Sequence, residues 1–159
     1  MKAVRGLLMV AGVVVLLQLF VVRPYHVTSE SMAPTLQRGD VILVWKPGGV
    51  EAGDVVVFRP ERMRTAFVKR VEAVGPAEVV VDGRVWGVPR GRAFVLGDNR
   101  GDSLDSRTKP RLGGAGLVPL ENVEGRAVQV MLSFEEDFSA IRPWTWYRVR
   151  HDRWLRKIM

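Results

Sequence analysis

The chain contains no cysteine and only two histidines among its 159 residues. The first absence excludes cysteine catalysis and thiolate metal sites, and the second leaves few ways to activate a nucleophile near neutral pH. His26 lies just past a long apolar run and His151 lies in a basic terminal stretch, so neither is well placed to act as the imidazole of a serine triad. A serine activated by lysine needs neither. Negative charge is also in short supply: 17 acidic against 24 basic residues give a formal charge of +7. That balance invites a nucleic-acid reading, but the basic residues do not form one clustered stripe interleaved with stacking aromatics, and no nucleic-acid partner is expected. An anionic lipid surface or plain solubility accounts for the same charge.

The length suits one modest domain plus a targeting segment. Residues 6–22, GLLMVAGVVVLLQLFVV, carry no formal charge and are flanked by Lys2 and Arg5 before and Arg23-Pro24 after. This run is at the short end of a membrane-spanning helix, and its bulky exit lacks the small residues of a cleavable signal. The expectation is a cytoplasmic N-terminus at residues 1–5, an uncleaved anchor over 6–22, and everything later on the far side of the membrane.

Beyond the anchor the pattern changes to short runs of β-branched and aromatic residues between turns. Residues 41–45, 55–58, 67–74, 78–81, 93–96 and 127–132 are expected strands. Asp82-Gly83 between two apolar runs predicts a tight hairpin. The fold class is therefore mainly β: antiparallel, barrel-like sheets over residues 23–134, followed by a basic, aromatic tail over 135–159.

Lys69 stands out because alternation along a strand puts it on one face with Phe67 and Val71. Desolvation there would lower its pKa and leave a free amine able to take a proton from a serine. A solvated lysine at a strand end is the plainer reading. The candidate serine is Ser31, on a turn stiffened by Pro34 in Ser29-Glu30-Ser31-Met32-Ala33-Pro34-Thr35-Leu36.

These segments occur in order with Arg38-Gly39-Asp40-Val41-Ile42-Leu43-Val44, Phe67-Val68-Lys69-Arg70-Val71 and Gly97-Asp98-Asn99-Arg100-Gly101-Asp102-Ser103-Leu104-Asp105-Ser106-Arg107. Together they resemble the bacterial type I signal peptidases, membrane-anchored Ser-Lys proteases that remove signal peptides from exported proteins. The resemblance spans about residues 29–125. It implies Ser31 as nucleophile, Lys69 as general base, and an oxyanion site formed by the Ser29 hydroxyl and the Ser31 backbone amide. Ser103 corresponds to the serine that orients the lysine, and Asp105 with Arg107 to a charged pair holding the surrounding loop, with Arg70 as a further partner. Met32, Leu36, Phe67 and Val68 are expected to line shallow pockets for the small side chains of an Ala-x-Ala site. Secretory preproteins and membrane lipid are the implied partners, no metal or organic cofactor is implied, and nothing speaks to oligomeric state.

The chain departs from the family pattern in two places. The second β-subdomain is reduced to about residues 76–96, and Thr108 to Gly116 replaces a shorter step before the Val118-Pro119 segment. The tail mixes tryptophans with arginines, a composition suited either to a headgroup interface or to packing on the barrel with its arginines solvated. A non-catalytic membrane-anchored module that presents strand edges to exported chains remains an alternative. A self-cleaving repressor-type protease is disfavoured by the anchor.

Overall fold

A computed structural model describes residues 4–7, 9, 10, 12, 21–46, 48–61, 63–135 and 149–158. Most of the expected anchor lies outside these; the described positions within it, 6, 7, 9, 10 and 12, are helical. Among the described residues no helix is long and apolar enough to cross a membrane.

Among the described residues there are nine strands: β1 Val22–His26, β2 Asp40–Trp45, β3 Val55–Phe58, β4 Phe67–Val74, β5 Ala77–Val81, β6 Arg84–Val88, β7 Arg92–Leu96, β8 Val118–Pro119 and β9 Val123–Ser133. Seven of them form one curled antiparallel sheet in the order β1-β2-β9-β3-β4-β7-β8. The long β9 is its spine, pairing with β2 on one side and with β3 on the other.

Burial explains the strands. In β2, Asp40, Ile42 and Val44 are buried while the residues between them are partly exposed, and β4 buries Lys69, Val71 and Ala73 in the same rhythm. All four residues of β3 are buried, as expected of a strand covered on both faces. Burying each such valine or phenylalanine contributes about 1.5–3 kcal/mol. One core cluster unites Val27, Met32, Leu36, Ile42, Val44, Val55, Val57, Ala127 and Val130. A second forms around Val56, Phe58, Val71 and Val95.

Two boundaries read from the sequence shift. Val22, taken as the end of the anchor, begins β1 and pairs with Trp45. The separate small sheet comprises only β5 and β6, whereas β7, inside the expected 76–96 unit, runs in the main sheet between β4 and β8. Its residues Ala93 to Leu96 are fully buried, so they complete the core instead of standing apart from it. The expected hairpin joins β5 to β6, with Asp82 at φ 53° and Gly83 at φ 72°, the backbone that a two-residue turn of this twist requires.

Candidate active site

Ser31 sits in a tight turn after β1. Ala33 N–H donates to the Glu30 carbonyl at 3.0 Å and Leu36 N–H to the Met32 carbonyl at 2.9 Å. This fold-back aims Ser31 at β4, where alternation buries Lys69. The two meet: Lys69 Nζ lies 2.6 Å from Ser31 Oγ, with Lys69 4% and Ser31 7% exposed. Ser29 Oγ lies 3.3 Å from Ser31 Oγ. The Phe67 ring, on the same face of β4, has its centroid 5.7 Å from Nζ.

Burial pushes Lys69 down to about 8 from 10.5, against the fields of Asp105, Asp102 and Asp98, which hold it up. A lysine near 8 carries an appreciable fraction of free amine at neutral pH. The pair opens onto a groove of about 380 Å³, walled on one side by residues 25–31 and on the other by 65–69.

The sequence as a whole matches the signal peptidase, peptidase S26, family over residues 1–87 and 80–132. The chain belongs to that family. It is 34% identical to the probable signal peptidase I-1 of Synechocystis sp., over 77% of this chain and 78% of that protein. It is 28% identical to signal peptidase I of Bacillus licheniformis, over 84% and 89%. Signal peptidase I U of Bacillus subtilis is also 28% identical, over 84% and 88%. The chain is thus a serine endopeptidase of the signal peptidase family.

In this signal peptidase the segment after β7 holds the Ser31 turn from behind. Asn99 N–H donates to the Ser31 carbonyl at 3.1 Å, and Asn99 Nδ2 to the Glu30 carbonyl at 3.2 Å. Gly97 permits the approach, because a Cβ there would lie 2.5 Å from the Ser31 carbonyl oxygen and 2.2 Å from Ser103 Oγ. Asp105 is fully buried and takes Arg107 Nε at 3.0 Å and Nη2 at 2.9 Å, plus the Gly97 N–H at 3.2 Å. Burial alone would raise the Asp105 carboxyl, but Arg107 and the Gly97 N–H outweigh it and hold it below its ordinary value. Ser106 was not singled out from the sequence, yet its hydroxyl accepts from Val95 N–H at 2.8 Å and donates to the Gly116 carbonyl at 2.6 Å. Its place in the Asp-Ser-Arg triplet between Asp105 and Arg107 was the available signal.

Three expected placements are corrected. Met32 and Leu36 do not line the groove; both have 0% exposure, because the fold-back tucks them beneath Ser31 into the first core cluster. Phe67 and Val68 do line it, together with Tyr25, Ile42, Val57, Ala66 and Leu104, which sequence reasoning missed. Ser103 Oγ is buried against Gly97 on the Asp105 side, and the expected bond from it to the Lys69 amine is not made. Arg70 grips Asp98 with both Nε and Nη2 at 2.8 Å and donates to the Gly53 carbonyl at 2.9 Å; the expected grouping placed it with Asp105. Asp98 is its natural partner, since Arg70 points away from Lys69 toward the start of the loop after β7. Among the described residues no cluster of acidic or histidine side chains could hold a metal ion.

Proposed function

We propose that this protein is a membrane-anchored serine endopeptidase that cleaves N-terminal signal peptides from exported preproteins after small-x-small sites such as Ala-x-Ala. The observation that carries the reading is the buried 2.6 Å contact between the Lys69 amine and the Ser31 hydroxyl, at the wall of an open groove.

In this reading neutral Lys69 accepts the Ser31 proton as Oγ attacks the scissile carbonyl carbon. The oxyanion is met by the Ser29 hydroxyl and the Ser31 backbone N–H, donors typically worth a factor of about 10² to 10³ each. As the C–N bond breaks, protonated Lys69 gives its proton to the leaving amine and becomes neutral again. It then deprotonates a water that attacks the acyl-enzyme, and Ser31 is released with its proton restored. Asp105 with Arg107, and Arg70 with Asp98, hold the loop that backs Ser31, while Ser103 packs behind the dyad.

The substrate lies extended in the groove, where backbone pairing serves signal peptides of varied sequence. Phe67 and Val68 narrow the site toward small side chains. The apolar run that starts at residue 6 and ends before β1 anchors the enzyme with residues 1–5 in the cytoplasm, so the groove faces signal peptides as they emerge on the far side. The basic, aromatic tail adds affinity for lipid.

The test is incubation of the full chain in detergent with a preprotein carrying Ala-x-Ala, the cut being located by mass spectrometry. Cleavage after the second alanine, lost in Ser31→Ala and in Lys69→Ala with the fold retained, is the expected result. Function that persists in both variants refutes the dyad and favours the non-catalytic module.

A further inference from the structure

The C-terminal segment, residues 149–158, docks back on β9 of the main sheet. β3 pairs with β9 only as far as Arg126. Beyond that point the terminal residues bond to β9: Val130 N–H donates to the Arg156 carbonyl at 2.8 Å, and Ile158 N–H to the Val128 carbonyl at 3.1 Å. Ile158 packs against the cluster that contains Met32 and Leu36.

From this docked segment two arginines reach the loop that carries Ser31. Arg153, 4% exposed, donates Nη2 to Asp40 Oδ2 at 2.6 Å and Nε to Asp40 Oδ1 at 3.1 Å, and Nη2 also reaches the Thr35 carbonyl at 3.1 Å. Arg150 donates Nη1 to Gln37 Oε1 at 2.8 Å, and Nη2 to the carbonyls of Phe134 at 2.8 Å and of Arg38. Asp40 is the hub: wholly buried, it also accepts from Ser133 Oγ at 2.6 Å and from Gln37 N–H at 2.9 Å. Asn99 therefore holds the loop at its Ser31 end, and the terminal arginines hold it from Thr35 to Asp40.

We propose that Arg153 is a positioning residue for the protease reaction: through Asp40 and the Thr35 carbonyl it fixes the 31–40 loop and so keeps the Ser31 hydroxyl within bonding reach of the Lys69 amine. The proposal rests on the Ser31–Lys69 reading above. A surface tail tied on for solubility would not bury a guanidinium against a carboxylate of the nucleophile loop. The groove wall at residues 65–68 leads into β4, which β3 and β7 hold, and the wall at 25–27 is fixed by backbone pairing with Gly39 to Ile42 and not by Arg153, so loosening the loop around Thr35 misplaces the nucleophile more than it disturbs substrate binding. A misplacement of about 1 Å can cost a factor of about 10² in rate.

The experiment compares full-chain Arg153→Ala and Arg153→Lys with Arg156→Ala, an exposed arginine of the same segment, using a quenched fluorescent peptide with an Ala-x-Ala site. The folded fraction is measured by near-ultraviolet circular dichroism, and rates are expressed per folded molecule. Arg153→Ala is expected to lower kcat at least tenfold while KM changes less than about twofold. Arg153→Lys, which keeps the charge but loses the fork, should recover part of kcat, and Arg156→Ala should match wild type. An unchanged kcat per folded molecule, or a loss confined to KM, overturns the proposal. If Arg153→Ala does not fold, Arg153→Lys decides on the same criteria, with a kcat deficit supporting the proposal and wild-type kcat overturning it. Ser31→Ala and Lys69→Ala run alongside. If both are inactive and Arg153→Ala keeps full kcat, only the positioning role falls; cleavage surviving in Ser31→Ala removes the dyad and the positioning role together.

Discussion

Raising the pH from 7 to 9 should increase kcat/KM about tenfold. Only the neutral form of Lys69 can take the Ser31 proton, and burial sets its midpoint at about 8. The free-amine fraction is then about 9% at pH 7 and about 91% at pH 9. A lysine left at its ordinary 10.5 would be neutral in only about 0.03% of molecules at pH 7, and the rate would climb about a hundredfold over the same interval. The two cases differ in slope, so absolute rates need not be compared.

The assay is cleavage of an Ala-x-Ala peptide by the full chain in detergent at substrate well below KM, in overlapping buffers of constant ionic strength. Under those conditions the profile reports groups of the free enzyme. A plateau near pH 9 with a midpoint near 8 is expected. A rate still climbing steeply past pH 9.5 would mean that the lysine is not effectively desolvated, and a flat profile would mean that it is not the base. Either result refutes the reasoning.

Asp102 lies exposed at the groove wall and its field helps hold Lys69 up, so Asp102→Asn should move the midpoint to lower pH and raise activity at pH 7; an unmoved midpoint would show the field to be fully screened. Lys69→Met should abolish cleavage yet stabilise the fold. A folded value of about 8 against 10.5 makes the charged lysine a cost of up to about 3 kcal/mol, fully present below pH 8 and lost as the pH rises through 10.5. Urea unfolding at pH 7 and at pH 10.5 checks this: after about 1 kcal/mol is subtracted for the lost hydrogen bond, the gain should appear only at the lower pH. Gly97→Ala would drive a methyl into Ser103 and the Ser31 carbonyl, costing about 1–3 kcal/mol in stability and more than tenfold in kcat, read by thermal melting and by kinetics. Asp105→Asn weakens the charge-assisted bonds from Arg107, which keeps Asp82 and the Arg100 carbonyl, and should destabilise the fold by about 1.5–3 kcal/mol, measured by denaturant titration.

The strands that carry the site were legible because they obey simple periods. β2 and β4 alternate, β3 is a continuous apolar run, and Lys69 follows from counting residues along β4. β1 was not legible, since Val22–His26 includes arginine, proline and histidine with no alternation, and only pairing with β2 makes it a strand. A proline is tolerated there because β1 lies at the sheet edge. Met32 and Leu36 were expected in the pocket lining from the family resemblance. Their burial depends on a backbone fold-back that no apolar period signals. The partner of Arg153 could not be read at all: Asp40 lies 113 positions away, and no local pattern links the two.

The arrangement around Lys69 resolves a conflict between two requirements. Holding the Ser31 turn takes a rigid, hydrogen-bonded loop, and the carboxylates that rigidify it sit where they would keep a nearby lysine protonated. Each of the two structural carboxylates is matched with an arginine: Asp98 with Arg70, and Asp105 with Arg107. Desolvation nevertheless outweighs the fields of Asp105, Asp102 and Asp98, so Lys69 settles near 8 instead of rising. The third carboxylate, Asp102, is exposed and is damped by water instead. Arg70 and Arg107 hold these two carboxylates in place and add positive charge to the loop beside the dyad. Replacing either with a neutral residue of similar size should raise the Lys69 midpoint and suppress activity at pH 7 more than at pH 9, a pH-dependent loss that a simple packing defect would not produce.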